Sequence, residues 1–240
     1  MQKKQIMKKI LTLFAVILTL SFSDSYSIHA QNNCNKSDKL GRRQGKWIDY
    51  HDNGQIRYKG QFKDNEPVGE FLYYSEDGKL FAKNKYSKKD RIVESEMYSP
   101  EGEVVAKGKY INKKKHDKWE YFSAENGSLI LVENYNNGLL IGKSIAYLSG
   151  TQNVIEEIEY VNGFKHGPYS MYYDNGVPMV EATYCKGELN GNYVYYYPNG
   201  VVKEEGLYKD GKRVGEWKTY DMEGYVISTD SYDVIIYENY

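Results

Sequence analysis

Aromatic and apolar residues recur along this chain at fixed intervals, separated by polar turns that carry glycine. Residues 191–215 show one complete period, GNYVYYYPNGVVKEEGLYKDGKRVG. Aromatics stand at Tyr193 and Tyr196, a turn follows at Pro198-Asn199-Gly200, and a second strand runs through Leu207 and Tyr208. A second turn at residues 209–212 leads to Gly215, where the pattern restarts as GEWKTY, 24 residues after Gly191. The same frame opens at Gly45, Gly69, Val93, Asp117, Gly142, Gly167, Gly191 and Gly215, with spacings of 24 or 25 residues. Five positions in, each of the eight units has an aromatic: Tyr50, Tyr74, Tyr98, Phe122, Tyr147, Tyr172, Tyr196 and Tyr220. The second strand repeats this with Phe62, Tyr86, Tyr110, Tyr135, Tyr160, Tyr184, Tyr208 and Tyr232. A fixed period of this size marks a solenoid, propeller or array. Asn53-Gly54, Asn175-Gly176 and Asn199-Gly200 between alternating runs predict hairpin turns, since both residue types tolerate positive φ. Each unit reads as one β-hairpin, and the chain as all-β.

Two units depart from the frame. Unit three has Val93 at its opening and Ser95 where an aromatic is expected; unit five has Ser144 and a wandering turn at residues 149–153. These are predicted sites of bending or local softness. Residues 1–30 read as a signal peptide, with Lys3, Lys4, Lys8 and Lys9 before an apolar run over 10–22 and a cut after Ala30. That run falls short of the roughly 20 residues a membrane-spanning helix needs, so no transmembrane span is expected in the mature chain. Residues 31–40 read as a polar leader, and 41–240 as one repeat array whose last segment caps the sheet.

Composition changes the picture in two ways. There are 26 Tyr against 7 Phe and 3 Trp, and a buried tyrosine needs a partner for its hydroxyl, which suits a thin sheet better than a thick core. The net charge is −1, and losing residues 1–30 leaves 28 basic and 32 acidic residues, so bulk charge points to no nucleic-acid partner.

Chemistry is sparse. His51, His116 and His166 lie in or beside turns of different units, too far apart to share a metal ion. Cys34 and Cys185 have no metal-like spacing. No nucleophile elbow or phosphate-binding glycine loop occurs, so no catalytic residue, cofactor or metal is expected. The paired acids Glu156-Glu157 and Glu204-Glu205 should point to opposite faces of a strand. The lysine runs at 83–89 and 113–115 read as solvated turns, with a peripheral contact to an anionic envelope surface as the functional alternative.

Gly45-Lys46-Trp47-Ile48-Asp49-Tyr50 and Gly215-Glu216-Trp217-Lys218-Thr219-Tyr220, each followed by a turn glycine, resemble the MORN repeat, in the bacterial variant labelled YwqK-type antitoxins. The resemblance covers about residues 41–232 and implies an elongated, twisted antiparallel sheet of successive hairpins. Members serve as scaffolds, lipid-associated modules and antitoxins, so the fold leaves function open. The expectation is a non-enzymatic interaction or scaffold protein, exported to the periplasm, outer envelope or exterior of a bacterium, whose partner is an unidentified protein or extended polymer. The alternatives are an antitoxin or immunity-like protein that covers a toxin, and a glycan-binding module.

Units six and seven hold the densest aromatics. With the invariant ladder of Tyr172 and Tyr196 assigned to packing, Tyr173, Tyr195 and Tyr197 are expected on the exposed face as the partner-binding residues, replaceable by serine without loss of stability. Sixteen strands at about 4.8 Å each predict an array about 75 Å long. Small-angle scattering should give a radius of gyration well above the roughly 18 Å of a globule of that length.

Overall fold

Alternating residues bounded by turns every 10 to 14 positions do form strands. The computed structural model describes residues 34–87 and 91–233, and residues 35–240 make up one unit. The expected signal peptide, Lys88, Lys89 and the last seven residues of the array lie outside the described residues. The strands are β1 (Lys36–Ser37), β2 (Arg43–Tyr50), β3 (Ile56–Lys63), β4 (Glu66–Tyr74), β5 (Leu80–Tyr86), β6 (Ile92–Tyr98), β7 (Val104–Ile111), β8 (Lys114–Phe122) and β9 (Leu129–Asn136). They continue as β10 (Leu139–Leu140), β11 (Gly142–Tyr147), β12 (Val154–Val161), β13 (Phe164–Tyr172), β14 (Pro178–Cys185), β15 (Glu188–Tyr196), β16 (Val202–Lys209), β17 (Lys212–Tyr220) and β18 (Val226–Tyr232). Each pairs antiparallel with the next, except that β10 and β11 lie in line and both pair with β9. No register joins β18 back to β1 or β2 among the described residues, so this is one open meander of 18 strands. Part of the sequence read as leader joins it, because Lys36 and Ser37 pair with Gln44 and Arg43.

The two rims of the sheet use different turns. At Asn53-Gly54 only the glycine is left-handed (φ 83°). Asn53 is held otherwise: its Oδ1 accepts the Gln55 N–H at 3.0 Å and its Nδ2 donates to the Glu76 carbonyl at 2.7 Å. The register then slips by one residue, with Asp49 opposite Tyr58 and Tyr50 opposite Ile56, leaving Arg57 as a bulge. Paired positive φ angles, the mark of the two-residue hairpin, occur on the other rim, at Asp64-Asn65, Asn137-Gly138 and Asp210-Gly211. The asparagine-glycine pairs do mark hairpins, but of a longer, bulged type.

Both rims are fastened from one repeat to the next. On the first-turn rim Asn175 and Asn199 repeat the Asn53 bond, donating to the carbonyls of Pro198 and Met222. On the second-turn rim Asn65, Gly163, Gly187 and Gly211 donate backbone N–H groups to Arg43, Leu140, Lys165 and Leu189.

The packed face is the reverse of the sequence assignment. Positions two and four of each unit point into it, so Trp119 is 0% exposed and Phe71, Met97, Tyr121 and Trp217 are fully buried. The invariant position-five aromatic stands on the opposite, half-exposed face: Tyr50 is 44% exposed, and the Tyr196 and Tyr220 hydroxyls reach Glu181 and Glu205. On the packed face the position-two ring meets the second-strand aromatic edge to face, as in Phe71–Tyr86 (5.1 Å), Tyr110–Trp119 (4.9 Å) and Tyr193–Tyr208 (5.4 Å).

Glycine makes room for the largest rings. A Cβ on Gly60, Gly108 or Gly206 would lie 2.3 to 2.4 Å from Phe71, Trp119 or Trp217, so these rings lie flat over bare backbone. Cations close the cluster from above. The Arg43 guanidinium sits 3.8 Å from the Phe62 ring centre, Arg213 3.9 Å from Trp217, Lys115 Nζ 4.4 Å from Trp119, and Lys165 Nζ 4.8 Å from Tyr184. Lys115 is therefore no solvated turn residue.

Unit three lacks this arrangement. Asn84, Ser95 and Gly108 follow one another across β5, β6 and β7. The buried Asn84 Oδ1 and Ser95 Oγ have no hydrogen-bond partner among the described residues, which costs about 1–3 kcal/mol per group. These two unpaired groups lie at the expected soft point.

Two outcomes follow from the packed face. Gly206→Ala forces a methyl into the Trp217 ring and should lower stability by about 1–3 kcal/mol in urea unfolding. Burial pulls the Lys115 pKa down to about 8, so between that value and the ordinary lysine range the unfolded chain binds more protons than the folded one. Stability should therefore rise from pH 8 toward pH 10, by about 2 kcal/mol from this group, and Lys115→Met should flatten that rise in pH-dependent melts. Above pH 10 the buried tyrosines, whose pKa values burial raises, reverse the trend as the unfolded chain ionises first.

Candidate binding surface

Position six, just past the invariant aromatic, reaches across to the neighbouring unit. The Tyr173 hydroxyl donates to the Tyr196 carbonyl at 2.7 Å, and the Tyr197 hydroxyl to the Tyr220 carbonyl at 2.9 Å. His51 Nε2 stands 2.8 Å from the Tyr74 carbonyl in the same position of unit one. Tyr173 and Tyr197 are thus clasps between repeats, half-buried on the turn rim and not residues of a free outer face. Tyr195 points to the packed side, with Tyr193. The bulge after the turn brings Lys203 to that same side, its Nζ 5.1 Å from the Tyr195 ring and 5.3 Å from Tyr197. Burial and the Tyr195 hydroxyl push the Tyr173 pKa up to about 12.

The structure therefore does gather Tyr173, Tyr195 and Tyr197, together with Lys203, which the sequence reading missed. Its signal was available, because Lys203 follows the turn at the position that becomes a bulge in other units. This patch is more open than the same face nearer the N-terminus: β13 and β15 contain no fully buried residue, whereas β4, β6 and β8 do.

Elsewhere the side chains serve the fold. Glu156 is buried on the packed face while Glu157 meets Lys143 at 3.4 Å on the other, and Glu204 holds Arg213 at 2.7 Å while Glu205 holds Tyr220. His116 Nδ1 lies 2.9 Å from Asp117 Oδ1. Cys34 and Cys185 are free. Among the described residues no His, Cys, Asp and Glu cluster could hold a metal ion, and no helix is long and apolar enough to cross a membrane.

Removing one clasp hydroxyl at a time should cost about 1 kcal/mol. Tyr173→Phe and Tyr197→Phe should each lower the melting temperature by a few degrees, and the double variant should depart from additivity, because the Tyr173 acceptor is the carbonyl of the peptide bond that leads into Tyr197. Serine at positions 173, 195 and 197 together should destabilise the protein clearly, so that triple variant does not separate binding from folding.

Residues 43–64, 67–88, 165–186 and 189–210 match the MORN repeat variant family. No curated protein matches the chain. The four matched segments lie in hairpins of the 24-residue frame, in the same sheet as the units between them, where Val93 and Asp117 replace opening glycines and Ser95 and Ser144 replace aromatics. Those four segments of the chain are thus MORN-type repeats.

Proposed function

We propose that this is a non-enzymatic binding or scaffold protein, exported to the bacterial envelope or exterior, which holds another protein or an extended polymer against the half-open aromatic patch of units six and seven. The observation that carries the reading is the Tyr195–Lys203 pair. A tyrosine ring and an ammonium group stand together on a face that is closed over farther along the sheet, flanked by the Tyr173 and Tyr197 rings. Tyrosine offers a large contact area at small entropy cost, and a neighbouring cation adds a polar anchor. Export is supported by the basic start and short apolar run of residues 1–30.

The test uses a variant that leaves both clasps in place. Tyr195→Ser with Lys203→Ser should lose partner capture from an envelope fraction while melting within a few degrees of the parent. Tyr173→Phe with Tyr197→Phe should keep capture despite its lower melting temperature. If the variant carrying Tyr195→Ser and Lys203→Ser captures as well as the parent, the patch drops out of the reading. N-terminal sequencing of exported material should begin at Gln31. A cytoplasmic toxin as the captured partner would favour the antitoxin role that the family resemblance suggests.

A further inference from the structure

Opposite the packed face, one row of side chains crosses the sheet through paired positions on successive strands. It runs Ile48, Lys59, Leu72, Lys83, Glu96 and Lys107, then Glu120, Val132 and Ile145, then Glu157, Ser170, Glu181, Val194 and Glu205. Within it, the second-strand position of successive units reads Lys59, Lys83, Lys107, Val132, Glu157, Glu181, Glu205. The position changes sign once, at Val132. The lysines and the glutamates lie at equal numbers of strands on either side of β9.

This arrangement is self-complementary. We propose that a second copy of this chain docks on this face, related to the first by a two-fold axis running along β9 beside Val132. That rotation brings Lys107 opposite Glu157 of the second copy, Lys83 opposite its Glu181 and Lys59 opposite its Glu205, and every pair occurs twice, as an isologous interface requires. Leu72 meets Val194. In the adjacent row Lys109 meets Glu159; the one like-charged meeting is Lys118 with Lys143, next to the axis.

The contacts these groups already make leave room for a partner. Lys83 holds Glu96 at 2.9 Å and Lys107 holds Glu120 at 3.2 Å, but an ammonium has three N–H donors. Glu181 accepts the Tyr196 hydroxyl at 2.7 Å and Glu205 that of Tyr220, and a carboxylate can accept about four bonds. Charge complementarity selects the occupant. A polyanion would satisfy only the lysine half and a polycation only the glutamate half. A second copy satisfies both, and its charges have matching spacing because the same repeat sets the distance on each side.

Exposed pairs of this kind are individually weak and screened by salt. Sedimentation velocity on the purified full chain should show a dimer at about 50 mM salt whose dissociation constant rises at least about tenfold by about 500 mM. Lys83→Glu with Lys107→Glu turns two of the three kinds of cross-pair into acidic meetings, and Glu157→Lys with Glu181→Lys turns the same two into basic ones; each variant should be monomeric alone. Mixed in equal amounts, they should form a heterodimer at least as tight as the parent dimer. Circular dichroism matching the parent establishes that each variant is folded. The proposal is overturned if the parent is monomeric at both salt concentrations or if either folded variant still dimerises alone. It is equally overturned if the mixture stays monomeric, if the parent grows into open-ended oligomers, or if heparin or polylysine binds a parent that never dimerises.

Discussion

A sheet one strand thick has only its own side chains to bury its face against, and that constraint governs the rest of this structure. Here the shortage of a second layer is met by laying rings flat. Trp119 and Trp217 lie over Gly108 and Gly206, lean edge-on against Tyr110 and Tyr208, and are covered by Lys115 and Arg213. The cation is as much a part of the core as the ring, because its methylene stem covers apolar area while its charged end stays near water. Removing one element exposes the others, so the cluster behaves as a unit within each repeat and as a weak neighbour between repeats.

The period, the turns and the strand order were legible in the sequence because each depends on local chemistry: a glycine where φ must be positive, an alternation where one face is dry. The packed face was not. Position five is aromatic in every unit, and such constancy suggests burial. Tyr196 and Tyr220 show the actual reason, since they stand on the polar side and their hydroxyls donate to the Glu181 and Glu205 carboxylates. Position two, which does pack, varies from tryptophan to serine because its partners vary with it. Trp119 follows Gly108, whereas Ser95 follows Asn84. Size is matched in pairs, across a strand boundary that single positions do not reveal.

The clasp tyrosines escape a sequence reading for a related reason. Alternation through Tyr195, Tyr196 and Tyr197 assumes that the strand continues, but it ends at Tyr196, and Tyr197 already belongs to the turn. The lysine and arginine lids stand two residues before the opening position in units one, four, six and eight. They were visible as a periodic feature, and they lacked meaning until a ring was seen beneath them.

The ends of the sheet are treated unequally. Asn35 lies along the outer edge of β2, its side chain bonding both backbone groups of Ile48, and Asp38, Arg42 and Asp64 tie that corner together. At the other end all seven residues of β18 are exposed. Contacts between neighbouring units span only 20 to 25 residues of chain, a short closure. A chain leaving a ribosome or a channel N-terminus first therefore completes its sealed end first, and each later hairpin meets a finished edge that serves as template. Folding can proceed vectorially, at the pace of synthesis or transport, without waiting for the C-terminus.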